Sequence, residues 1–375
     1  MTAALHDPFA VRLGCFVAVL GALGILASPP ACAASLPPLE SPERGFLSAT
    51  PAETWEHGLI AGSGTVGANM FGRPLEETIV LTHERMFLPT GEPKMPPPDT
   101  GIRLFEIRRL IDRGLYRQAT RLAFQLSGQG GFMYPDPFVP AFDMRITMGA
   151  GDASGRGPIR DYGRSVDFAK GLATVHWADK RGVFERRLFV SRPDGVVVLQ
   201  MVGDKPGAID CTLSLGPRRP SPDLPGDQTE RSNQRMKANL QDVTTTADAQ
   251  TLTFRNTFAQ AYPGSIQALE GVAYVVPRGG RAATRDGTLT VTGADEVTVL
   301  IAVDVLYKAE ESRLETTQAR LAAMPHDFDA LLARHAAVHG PIFKRMRLDI
   351  GGGEDRGLTT EQLIEASTND RLSRA

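Results

Sequence analysis

The feature that most constrains this chain is a long run of short, alternating apolar segments between Phe142 and Val303. Arg145–Met148, Val166–Phe168, Ala173–Trp177, Val183–Val190, Val196–Val202, Ala208–Leu215, Thr251–Phe254, Gly271–Val276, Thr288–Val291 and Val297–Val303 each read as a strand. Side chains on a strand point alternately to opposite faces, so period-two patterning marks one face for a core. Turn sequences such as Pro193-Asp194-Gly195 separate the segments. Many short strands with regular turn signals predict an antiparallel sandwich or barrel. The 38 glycines and 27 prolines supply the punctuation such a fold needs.

Two stretches depart from this texture. Over Ile102–Leu126, Leu104, Ile107, Leu110 and Ile111 recur at helical spacing, Gly114 interrupts, and Ala119, Leu122, Ala123 and Leu126 resume. That pattern predicts a helical hairpin. Ser312–Met324 and Asp327–Phe343 read as helices again. Pro89–Pro98 reads as a proline-rich loop, and Ser221–Gln250, polar and without an aromatic residue, as a long solvated loop.

The N-terminus reads as an address. Arg12 precedes the uncharged, mostly apolar run Leu13–Ala27, and small residues follow at Ala31, Ala33 and Ala34. This is the layout of a secretory signal peptide, and the run is shorter than the roughly 20 residues of a spanning helix. Cleavage near Ala33 or Ala34 is expected, giving an exported protein that is free of the membrane afterwards. Cys15 and Cys32 then fall in the signal and leave Cys211 without an internal disulfide partner. Ile209, Cys211, Leu213 and Leu215 share one strand face, which reads Cys211 as core rather than nucleophile.

Charge excludes one partner class. Lys+Arg 41 against Asp+Glu 43 gives −2, without the basic excess of a nucleic-acid binder. A mean hydropathy of −0.15 argues against a polytopic membrane protein. Gly62-x-Gly64-x-x-Gly67 matches a dinucleotide fingerprint, but Gly72 and Pro74 follow too soon for the helix that would hold a pyrophosphate, so it reads as a glycine-rich β-turn. His335 and His339 have metal-ligand spacing on a helix, yet no third ligand is indicated and helix packing is the simpler reading. No cofactor and no metal are expected. Carboxylates such as Glu185 and Asp304 sit at strand ends, where solvation is commoner than catalysis.

Pro51-Ala52-x-x-Trp55 followed by Gly62-x-Gly64-x-x-Gly67-Ala68-x-Met70-Phe71-Gly72 resembles the opening motif of glycoside hydrolase family 95, the α-L-fucosidases and relatives acting on α-L-galactosides. Glu77–Pro89, Leu104–Ala123, Tyr162–Trp177, Arg186–Asp194, Thr292–Tyr307 and His335–Gly351 resemble later segments of that family in the same order. Leu81-Thr82-His83 and Phe87 stand where the family usually has Leu-Asn-Glu and Trp, which places the chain in a divergent branch.

The resemblance implies a mainly β fold: a signal peptide over 1–34, an N-terminal antiparallel β-sandwich over 35–309 with a helical hairpin insertion, linker helices over 310–345, and over 346–375 a strand and the truncated start of a catalytic barrel. In that family an (α/α)6 barrel carries the general acid and the water-positioning group of an inverting hydrolysis, so no catalytic residue is expected within this chain. A glycan substrate is implied, with Trp55, His57 and His83 as candidates for the rim of a sugar site. Trp can stack on a sugar face and His can donate to a hydroxyl. Two further expectations are self-association through an exposed barrel-docking face and, as the rival reading, a stand-alone sandwich that binds glycan without hydrolysing it.

Overall fold

A computed structural model of the chain describes residues 36–91, 101–126, 135–149, 156–218, 234–349, 351 and 353–368. All of these fall within the unit Ala33–Ala375. The signal peptide expected over 1–34, most of the proline-rich loop, and the last residues of the chain lie outside the described residues.

Among the described residues, fourteen strands are joined in one antiparallel ladder. They are β1 Gly45–Ser48, β2 Leu59–Gly62, β3 Val66–Met70, β4 Glu76–His83, β5 Phe142–Met148, β6 Arg160–Asp167, β7 Leu172–Ala178, β8 Val183–Ser191, β9 Val196–Gly203, β10 Ile209–Gly216, β11 Leu240–Ala247, β12 Thr251–Phe258, β13 Ala268–Arg285 and β14 Thr288–Leu306. The main path runs β1-β6-β7-β8-β9-β14-β10-β5-β4-β3-β2, with β13, β12 and β11 following on from the other edge of β14.

The long hairpin β13–β14 makes two layers out of this single ladder. Glu296–Ile301 of β14 pairs with β9, whereas Thr288–Ala294 of the same strand pairs with β10. The hairpin therefore belongs to both layers. It shifts register between Arg278 and Gly279, where Gly279 and Gly280 have left-handed φ of 74° and 65° near Gly293 at 68°. Glycine adopts these angles without a Cβ penalty, so the bulge can bend the ladder. The layers face each other with β2 and β3 against β8, β4 against β14, and β10 against β12. Trp177 stacks on Phe184 at 5.4 Å between centroids and Phe142 meets Phe254 at 5.2 Å inside the sandwich.

The sandwich, the hairpin and the flanking helices agree with the sequence patterning. Helix α1 spans Leu104–Asp112 and α2 spans Tyr116–Leu126, with Gly114 left-handed between them. Helices α3 (Leu314–Ala323) and α4 (Phe328–Phe343) seal the outside of β8, β9, β13 and β14 through a second core of Phe189, Val198, Val272, Leu300, Leu321 and Phe328. Helix α5 spans Thr360–Thr368. No helical barrel is formed among the described residues, and none of their helices is long and apolar enough to cross a membrane.

Three expectations are corrected. Part of Ser221–Gln250 is regular: 234–239 is helical and β11 pairs with β12. That strand lies at an edge with most residues exposed, so it carries no apolar alternation, and β12 supplies its partners. Gly271–Val276 is only part of an 18-residue strand, and Thr288–Val291 and Val297–Val303 are parts of one strand, because pairing continues across Thr292–Glu296. The strand expected near the start of 346–375 is absent from 346–349, which have no pairing partner among the described strands.

Candidate functional site

Trp55, Glu56 and His57 form one 3-10 turn ahead of β2. The neighbouring structure grips this turn by its carbonyls. Trp55 O accepts from Asn69 Nδ2 at 2.7 Å, and His57 O accepts from Arg164 Nη1 at 2.8 Å. The Trp55 ring is left half-exposed. His83 ends β4, where its Nδ1 accepts from Arg85 N at 3.1 Å and burial lowers its pKa. Register separates the candidates: Leu59 lies opposite Met70 and Met70 opposite Ile79, while Val66 lies opposite His83. Trp55 and His57 therefore stand at one end of the β2–β3–β4 ladder and His83 at the other, about 13 Å further along β4 at strand rise. The fold does not bring the three together on one rim.

A polar spine that the sequence did not signal runs beneath the Phe71–Pro74 turn. Glu77 of β4 and Arg186 of β8 are both fully buried and pair at 2.8 Å. Glu77 also accepts from Gly72 N at 2.9 Å and from Thr78 N at 2.9 Å. Arg186 donates in addition to the carbonyls of Arg73 and Pro74, with its guanidinium 5.1 Å from the centre of the Trp177 ring. Burial pushes the Glu77 pKa up, and Arg186 with the two N–H groups opposes it. Tyr162 Oη donates to Gly72 O at 2.7 Å, and Arg164 donates to Phe71 O and Ser48 Oγ. The spine thus ties β1, β4, β6 and β8 to one turn.

From Ser48 it continues into α5. The Glu361 carboxylate accepts from Ser48 Oγ at 2.6 Å, Ala49 N at 2.9 Å and Thr50 Oγ1 at 2.9 Å. Burial disfavours the charged carboxylate, but these donors together outweigh it and hold its pKa at about 2. A depressed folded pKa stabilises above the ordinary value of 4.5 and is lost as pH falls from there through about 2. We expect α5 to lose hydrogen-exchange protection across that window before the sandwich unfolds, and Glu361→Gln to remove the pH dependence.

The second cluster is on α4. His335 is buried, its Nδ1 accepts from Arg192 N at 3.2 Å, and its ring stacks on His339 at 5.0 Å. Arg192 Nε donates to His339 Nδ1 at 3.3 Å. Arg192 thus donates to Nδ1 of both imidazoles, which act as packing and acceptor groups in this arrangement. Burial, His339 and Arg192 lower the His335 pKa to about 4. The stabilisation is complete above 6.5 and declines as pH falls toward about 4. Melting temperature measured over this range should fall less steeply in His335→Phe than in the parent chain.

Carboxylates define what the interior can do. The four buried ones among the described residues, Glu77, Asp143, Asp179 and Glu270, each form an ion pair with arginine: Arg186, Arg218, Arg181 and Arg255 respectively. Buried charges persist when paired in this way. A glycosidic acid instead needs a protonated carboxyl facing a cleft. Glu185 has its pKa raised by burial but lies 3.4 Å from Arg187 on the sheet face beside α4. The Cys211 thiol, wholly buried, is pushed up to about 12 and stays protonated.

Fold and interior together define an antiparallel β-sandwich with a helical cover. Residues 46–310 match the family described as glycosyl hydrolase family 65, N-terminal domain, and the chain belongs to that family of glycoside hydrolase N-terminal domains. It is also similar to alpha-L-fucosidase 2 of Arabidopsis thaliana, 27% identical over 168 residues that span 44% of this chain and 19% of that protein. That is the activity implied by the family-95 resemblance. Among solved structures, a protein described as a kojibiose phosphorylase from human microbiome aligns over 85% of this chain and 41% of its own, at 10% identity and TM-score 0.47. A family GH92 alpha-mannosidase from Bacteroides thetaiotaomicron aligns over 77% and 35%, at 10% identity and TM-score 0.25.

Proposed function

We propose that this chain is the N-terminal sandwich of an exported glycoside hydrolase acting on α-L-fucosides or α-L-galactosides of glycans by inversion. Its own part is to hold and orient the catalytic element rather than to perform the chemistry. The observation that carries this reading is the pairing with arginine of every buried carboxylate among the described residues, which leaves none of them a free acid. Inverting hydrolysis needs an acid and a water-activating base about 6.5–9.5 Å apart across one bond. In this reading both groups come from a helical barrel, and the spine ending at Glu361 fixes where α5 leaves the sandwich. The similarity to alpha-L-fucosidase 2 supports this over a stand-alone glycan-binding sandwich.

The test is release of an aryl α-L-fucoside and an aryl α-L-galactoside by the purified 375-residue chain. No turnover above a heat-treated control is expected. Turnover abolished by replacing a single carboxylate would place an active site within the chain and overturn the scaffold role. The DNA downstream of the Ala375 codon tests the rest. A frame encoding a helical barrel supports the reading, and an intact unrelated gene favours the binding sandwich.

A further inference from the structure

We propose that a cavity on the outer side of the β1–β6–β7–β8 ladder, beneath residues 36–39, is a binding site for a single hydroxylated sugar ring. The cavity measures 390 Å3, within the range of about 300–1,000 Å3 typical of small-ligand sites. Its origin lies in strand register. Gly163 of β6 pairs with His176 of β7, which pairs with Glu185 of β8, and these positions face away from Trp177 and Arg186 in the core. With no side chain at Gly163, the sheet surface is hollow there. Leu47 on one side and Leu39 above lie 3.6 Å and 3.4 Å from where a Cβ would stand.

Two polar groups give the hollow a chemical character. His176 lines it, is only 4% exposed, and its Nδ1 has no hydrogen-bond partner. Buried polar atoms almost always have one, so an orphaned nitrogen beside a cavity points to a ligand. Burial lowers the His176 pKa and keeps the imidazole neutral, with one donor and one acceptor. Asp161 also lines the cavity, at a bulge where the register shifts between Arg160 and Gly163 and its φ is +50°. Bulges re-aim side chains and recur beside binding sites.

An acceptor-only carboxylate next to a neutral imidazole suits vicinal hydroxyls, each of which donates and accepts. The apolar walls of Leu36, Leu39, Leu47 and Val183 suit the C–H side of the ring. Asp161 disfavours a phosphate or other anion. The substrate class rests on the glycoside-hydrolase reading above, but the cavity is separate from Trp55, His57 and His83, none of which lines it.

Calorimetric and saturation-transfer titrations of the full chain with L-fucose, L-galactose and D-glucose test the assignment. Saturable binding of at least one is expected, weakened about tenfold or more in His176→Ala, as for loss of a hydrogen bond to a buried site. Gly163→Leu should abolish it by filling the hollow, and Phe105→Ala, on exposed α1 away from the cavity lining, should leave it unchanged. Each variant is compared by melting temperature. Asp161→Asn, at an exposed side chain, keeps the test available if Gly163→Leu misfolds, and should also weaken binding. Absence of binding by any of the three sugars, binding of inorganic phosphate in their place, or unchanged affinity in His176→Ala and Asp161→Asn would overturn the proposal. These outcomes leave the fucoside reading intact, because that is judged by hydrolysis and by the downstream gene.

Discussion

Glu77→Leu is expected to destabilise the sandwich by about 3–5 kcal/mol, the usual cost of removing one partner from a buried ion pair. The reason is geometric. Arg186 has no exposed surface and cannot turn to water, so its charge is left against carbonyls and the Trp177 ring alone. Arg186→Met should cost a similar amount by stranding Glu77. The double variant Glu77→Leu with Arg186→Met should be more stable than either single, because replacing both charges with apolar groups removes the desolvation penalty along with the attraction. It should still fall short of the parent by about 1–3 kcal/mol, since Gly72 N loses its acceptor. Urea midpoints at constant slope measure all four proteins. Additivity of the two single effects within about 0.5 kcal/mol would show that the pair is not the unit described.

The other large effect lies where the two layers meet. A Cβ on Gly271 of β13 would stand 2.3 Å from Cζ of Phe142 and 2.5 Å from its Cε1. Phe142 belongs to β5 and is fully buried, with Phe254 as an aromatic neighbour, so the ring has little room to move. Gly271→Ala should cost about 3 kcal/mol, the upper end for overpacking a tight core. Phe142→Ala should cost about 3–5 kcal/mol through the cavity it leaves. Combining Gly271→Ala with Phe142→Leu should recover part of the loss, because the smaller side chain makes room for the added methyl. A double variant no more stable than the sum of its parts would show that the clash is relieved elsewhere.

The two variants probe different kinds of information. Gly271 opens a segment readable as a strand and Phe142 stands three residues before another, yet nothing near either residue announces their contact across the sandwich. The same holds for Glu77 and Arg186, which are far apart in sequence and become neighbours only when β4 and β8 face each other. A buried arginine between Glu185 and Arg187 reads, in one dimension, as a solvated charge run. The alternation of Phe184, Arg186 and Leu188 on the inward face becomes informative once Glu77 is known to wait there.

Local sequence determined most of the elements. Apolar patterning carried β5, β7, β8, β9 and β10 and only the end of β6, by alternation where one face is buried and by a continuous apolar run on β9, which is buried on both. Helical spacing with Gly114 marked the α1–α2 hairpin, in which Ala119 and Leu122 of α2 are buried and the apolar residues of α1 stay partly exposed. Tertiary structure alone decided what required distant partners. It made β11 a strand by placing Thr-rich exposed chain beside β12, and it carried β13–β14 across both layers through the Gly279-Gly280 bulge. It kept His83 apart from Trp55 and His57, and it hollowed the surface at Gly163 under Leu39. Burial leaves a periodic trace along the chain. Which buried group meets which depends on strand order, and strand order is set by the energy of the whole assembled sheet.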